Sequence, residues 1–158
     1  MILLRNSMGV GLCAIALFLS HTALAANGPT AQGAHNFFQL LADKHLLRGS
    51  KDRYIQNYKA QGECISIWED IDGKNDGEIR HIEVDWSSIT SALNMKGAGG
   101  DYGDSVTFFG SVIFETTERK EHRNGFRLYA VDGVTRDRIY KAGEFLRTQC
   151  DTLSATGF

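Results

Sequence analysis

Four carboxylates within a short stretch, Asp70, Asp72, Asp76 and Glu83, are the residues whose spacing comes nearest to a known chemistry. With Asp72 as position one of a calcium loop, Asp76 falls at five, Gly77 at six, Ile79 at eight and Glu83 at twelve. Alternating carboxylates can reach one hard cation, the glycine allows the sharp turn, and a terminal glutamate can bind in bidentate fashion. Lys74 at position three puts a cation where an oxygen ligand belongs, and the incoming segment reads as strand. Asp70, Asp72, Asp76 and Glu83 therefore form a candidate calcium site, with a polar hairpin turn as the competing reading. No other cofactor is expected.

The mature histidines, His35, His45, His81 and His122, show no metal-ligand spacing. His81 and Glu83 alternate with Ile82, so they share a solvent-facing side of a strand; acid–base work would require that side to line a cleft. Gly97 to Gly103 lacks the Gly-Lys-Ser/Thr ending of a phosphate-binding loop. Ser66, Ser87 and Ser88 lack the Gly-x-Ser-x-Gly context of a hydrolase nucleophile. No catalytic residue is nominated.

The cysteines are read through the N-terminus. Arg5, the apolar run from Gly9 to Leu19 and the small-x-small triplet Ala23-Leu24-Ala25 have the layout of a secretory signal peptide over residues 1–25. The apolar run is shorter than a bilayer span requires. Cleavage would remove Cys13 and leave Cys64 and Cys150, which are expected to form a disulfide in an oxidising compartment, periplasmic or secreted. The chain-entropy contribution of so long a loop is on the order of 4–5 kcal/mol.

The full chain carries a net charge of −2, and the leader removes one base and no acid. An acidic balance argues against nucleic acid or an anionic membrane surface as the main partner, and the mature chain has no membrane-spanning run. Charge is segregated: Glu63 to Trp86 is acid-rich and Arg119 to Arg147 is base-rich. Two solvated faces, or an acidic patch for a basic partner, both fit.

These residues need elements to position them. Residues 26–33, small and polar around Pro29, are expected to be flexible, and residues 34–158 to form one domain. Phe37, Leu40, Leu41 and Leu47 predict a helix over Ala34 to Leu47, ending at Arg48-Gly49. Tyr54 and Tyr58, four apart with Ile55 alongside, predict a second, shorter helix capped by Ser50 and ending before Gly62. Cys64 to Ile71 and Ile79 to Trp86 alternate and flank strong turn residues, which predicts a hairpin. Ser87 to Asn94 reads as a helical turn with Ile89 and Leu93 inward, and Lys96 to Asp104 as a glycine-rich loop. Val106 to Glu118 and Phe126 to Asp132 predict a second hairpin joined by Arg119 to Gly125. Ile139, Ala142, Gly143 and Leu146 fit a final helix capped by Thr135 and ending at Cys150, or a strand, since Gly143 weakens a helix.

The expected fold class is α+β: N-terminal helices packed on an antiparallel sheet of two or more hairpins, with a C-terminal helix and one disulfide. This element order resembles the cone-shaped folds of the cystatin and nuclear-transport-factor-2 type. The expected function is that of an exported, non-enzymatic binding protein of bacterial type, an inhibitor, immunity or accessory factor acting on another protein. The alternative is a small-ligand-binding or enzymatic domain with a pocket between helices and sheet, using His81, Glu83 or Asp85 as polar groups.

Overall fold

The computed structural model describes residues 28–74, 77–97 and 103–151. Two helices, α1 (Ala31–Asp43) and α2 (Gly133–Cys150), flank six strands: β1 (Leu47–Ser50), β2 (Arg53–Gln61), β3 (Ile65–Asp72), β4 (Ile79–Met95), β5 (Ser105–Glu115) and β6 (Lys120–Ala130). The strands pair antiparallel in sequence order, and β1 closes on β6 through Leu47 opposite Ala130 and Arg48 opposite Tyr129. The molecule is therefore a closed barrel with one helix before it and one after, not the open helix-covered α+β sheet expected. The cone-type resemblance, which rested on element order, fails with it.

Both misplaced helices have the same physical cause. In β2, Arg53 and Ile55 point inward; an extra residue at Asn57, held at a positive φ of 52°, then turns Tyr58 inward instead. Such a bulge breaks the two-residue period of a strand. It leaves Ile55 and Tyr58 three apart, which mimics a helix face. In β4 the register slips between Val84 and Ile89, so Trp86 and Ile89 are both buried. Leu93, expected inward, is 49% exposed. Gly110 of β5 makes that second slip feasible: at φ 154° it lies against Ser88 O and Ile89 Cα, where a side chain would have no room.

The other elements differ mainly in their ends. Thr30 caps α1 by accepting from Gly33 N–H at 3.0 Å, so Ala31–Gly33 is helical and Leu47 belongs to β1. The first hairpin stands as read, with Trp68 opposite Ile82. Its inner face on β3 is Ser66, Trp68 and Asp70, while the isoleucines Ile65, Ile67 and Ile71 lie on the outer side. The polar stretch Arg119 to Gly125 is strand rather than connection: all but Arg119 belongs to β6. α2 is a helix, capped by Asp132 accepting from Thr135 N–H at 2.7 Å rather than by the Thr135 side chain.

The core fills the barrel from its helix-covered end. Phe38 of α1 stacks on Tyr58 and on Trp86, and Trp86 meets Phe108 edge-on with ring centroids 5.3 Å apart. α2 runs beside β4, where Asn94 donates to Asp137. The Cys64–Cys150 disulfide, Cα atoms 5.6 Å apart, ties the end of α2 to the β2–β3 turn. Among the described residues no helix is long and apolar enough to cross a membrane.

Candidate functional site at the barrel mouth

The inward-facing residues change character along the barrel axis. Near the helices they are aromatic and aliphatic. Toward the other end, where the β1–β2, β3–β4 and β5–β6 turns lie, Arg53, Asp70, Arg80, Glu121 and Arg123 occupy inner positions. Strand parity dictates this: Arg80 continues the face of Ile82, Val84 and Trp86, and Arg123 faces inward opposite Val112. A cavity of about 320 Å³ opens there. Ile55, Trp68, Ile82, Phe114, Phe126 and Leu128 supply its apolar wall, and the guanidiniums of Arg53, Arg80 and Arg123 its polar one. The Arg127 side chain, in contrast, turns outward to Thr107.

The three arginines are held differently. Arg53 is buried and fully engaged: Nε donates to Asp70 Oδ2 at 3.0 Å, Nη1 to Asp72 and Glu78, and Nη2 to the carbonyls of Asp70 and Glu78. It pins the corner where β2, β3 and β4 meet. Arg80 makes one hydrogen bond among the described residues, from Nη2 to Glu78 Oε2. Arg123 is held along one edge by Glu121, and its guanidinium lies 4.2 Å from the centroid of the Phe114 ring. The Glu121 carboxyl is lowered, first by its hydrogen bond from Arg123 and further by the charges of Arg123, Arg119 and Arg80, so these cations converge around it.

Asp70 faces this cavity in a closed position. Its carboxylate lies beneath Gly49, where a Cβ would clash with it, and Oδ1 is buried without a hydrogen-bond partner. Burial pushes the Asp70 carboxyl up, against the lowering pull of Arg53.

The other candidate residues scatter. Asp70 and Asp72 converge on Arg53 rather than on an empty cation position. Glu83 lies on the outer face, opposite Ile67 and Ile113, and Asp76 lies outside the described residues. Among the described residues no three His, Cys, Asp or Glu side chains are grouped to hold a metal. His81 is exposed, its Nδ1 3.9 Å from Glu69 Oε1, on the outer side with Glu83. Asp85 is exposed and bonds Ser87. Of the glycine-rich loop, residues 98–102 lie outside the described residues.

Ser66 has an unexpected setting. Trp86 Nε1–H donates to Ser66 Oγ at 2.8 Å; Ser66 Oγ lies 2.6 Å from the Tyr58 hydroxyl, which lies 2.8 Å from His35 Nδ1. His35 Nε2 lies 2.8 Å from Glu63 O. A carbonyl only accepts, so Nε2 carries the proton and Nδ1 accepts from Tyr58. Every donor in the line Trp86, Ser66, Tyr58, His35, Glu63 then has one acceptor. Burial raises the Tyr58 hydroxyl well above its ordinary range, in keeping with a phenol that donates. With Ser66 and His35 both buried, this chain is a structural polar spine and not a nucleophile with an approach path.

The chain matches no family model, no curated protein and no solved structure. The arginines of the mouth escaped sequence reasoning because arginine is expected at the surface. The signal was present in Arg80, which falls on the same alternating face as Ile82, Val84 and Trp86.

Proposed function

We propose that this is an exported binding protein that holds a small molecule in the mouth of its barrel. The observation that carries this reading is the cavity of about 320 Å³ with aromatic walls and convergent guanidiniums at one end of a barrel filled at the other. Pockets that take small ligands run from roughly 300 to 1,000 Å³ and combine mostly apolar walls with a few placed polar groups. Mouths of β-barrels are a recurrent location for them. The leader-like residues 1–25 and the disulfide support export.

A pocket between helices and sheet receives less support. Between α1 and the strands, the cavity lined by Phe38, Tyr58, Trp68 and Trp86 is only about 10 Å³, too small for a ligand. The reading as a factor acting on another protein rests on small size, export and segregated charge, to which the structure adds Phe109 and Leu93, exposed on the outer side of neighbouring strands. The other exposed large apolar side chains among the described residues, Leu40, Ile79, Val131 and Val134, come from other segments of the chain.

Trp68 lines the cavity, so its fluorescence reports occupancy. Native mass spectrometry of protein purified from the exporting cell is expected to show a bound small molecule, whose removal and return shift Trp68 emission. Protein that carries nothing, and whose emission no anionic, neutral or cationic aromatic compound shifts, would remove this reading.

A further inference from the structure

We infer that the ligand of the barrel mouth is a small organic anion: a flat apolar body bearing one carboxylate-type group, which Arg80 and Arg123 receive together. This deepens the mouth-binding reading and rests on it. The argument is an inventory of donors and acceptors on the inner face. Arg53 has no donor left, since Nε, Nη1 and Nη2 are all engaged. Arg80 Nε and Nη1 and Arg123 Nη1 make no hydrogen bond with a described residue. Both side chains are partly exposed at the mouth, at 29% and 39%. The acceptors are committed instead or, like the unpartnered Asp70 Oδ1, buried. Asp70 is sealed beneath Gly49 and paired with Arg53, while Glu78 and Glu121 receive the arginine edges described above. The mouth thus offers open donors carrying positive charge.

The body of the ligand follows from the walls. The Arg123 guanidinium carbon lies 4.2 Å from the centroid of the Phe114 ring, and Glu121 holds its other edge, so packing and an ion pair together restrict where it sits. Below lie Trp68 and Phe126, their ring centroids 5.3 Å apart. A planar anion can place its charged group between the two arginines and its ring against these faces. The cavity volume limits the body to one or two fused rings in size, at the low end of ligand pockets. Guanidinium forks recognise planar oxyanions bidentately, and charge-assisted bonds of this kind are the strong ones.

Calorimetry with three probes of one skeleton tests this: naphthoate, naphthamide and naphthylmethylamine. Naphthoate is expected to bind at least about tenfold more tightly than naphthamide, the increment of one charge-assisted hydrogen bond. The amine is expected to bind weakest. Arg80→Gln and Arg123→Gln, each checked for an unchanged thermal transition or compared at a temperature where both remain folded, should bring naphthoate down to the level of naphthamide. Affinity for naphthamide itself should stay within about twofold. If naphthamide or the amine binds as tightly as naphthoate, or if neither substitution reduces the preference, the anion assignment is overturned while the cavity reading stands. If none of the three binds or shifts Trp68 emission, both fall.

Discussion

Gly143 of α2 lies directly against the ring of Phe108, so that a methyl group on its Cα would overlap Cζ and Cε1. Phe108 is fully buried, wedged by Trp86 and Phe126, and cannot give way. A glycine in a helix interior costs about 1 kcal/mol relative to alanine, so helix propensity alone favours Gly143→Ala. Overpacking a tight core costs about 1–3 kcal/mol. So deep an overlap belongs at the upper end of that range, and the close approach wins: Gly143→Ala is expected to lower the urea midpoint, with a net loss of up to roughly 2 kcal/mol. A raised midpoint would mean that α2 can move away from the barrel.

The buried spine should behave as a unit. Ser66→Ala leaves the Trp86 N–H without an acceptor, whereas after Tyr58→Phe the Ser66 hydroxyl, 3.4 Å from His35 Nδ1, can donate to it directly. Each stranded buried group costs about 1–3 kcal/mol, so Ser66→Ala, which strands a donor, is expected to destabilise more than Tyr58→Phe. The double variant should cost less than the sum, because the two share one bond. Nitrogen NMR of His35 should show the proton on Nε2; a proton on Nδ1 would reverse the direction of the chain.

Removing Arg53 should expose a dependence on pH. Arg53→Met leaves the Asp70 carboxylate buried without its counter-charge, an expected loss of about 3–5 kcal/mol near neutrality. The Asp70 carboxyl is already raised by burial. Its stabilising contribution is therefore fully present below the ordinary carboxyl range and is lost as pH rises through its raised range. The variant's deficit should accordingly shrink on acidification, as Asp70 takes up a proton. A deficit that does not change with pH would show that Asp70 keeps its charge without Arg53.

Asp132 should titrate with the opposite sign. Hydrogen bonds from the Thr135 backbone N–H, first among its causes, lower its carboxyl. Its contribution is present above the ordinary carboxyl range and is lost as pH falls through the lowered one. Asp132→Asn keeps a capping oxygen and removes the titration. Circular dichroism through an acid titration should find the wild type losing stability relative to this variant. Parallel curves would remove Asp132 as the source.

Reduction of Cys64–Cys150 is expected to cost about 4–5 kcal/mol, the loop-entropy value for a long closed loop. Because the bridge ties the end of α2 to the β2–β3 turn, amide exchange should rise first over the last turns of α2. Uniform acceleration across the barrel would indicate that the bridge acts on global stability alone.

What local patterning could carry was legible in the chain. The first hairpin and the disulfide follow from alternation around turn residues and from a cysteine count after a leader-like segment, while spacing at three and four left the C-terminal segment open between helix and strand. What it could not carry was the bulges at Asn57 and Gly110. The first adds one residue to β2, and the second, opposite Gly110, adds three to β4 between Val84 and Ile89; both shift which side chain faces inward, and the resulting spacing of three imitates a helix. Barrel closure was equally invisible, because the pairing of Leu47 with Ala130 depends on accumulated twist and stagger around six strands and leaves no mark in either segment. The mouth was decided there too. Arg80 and Arg123 lie far apart in the chain and acquire a common task only when closure faces both toward one lumen, whereas the composition around them reads as ordinary surface charge.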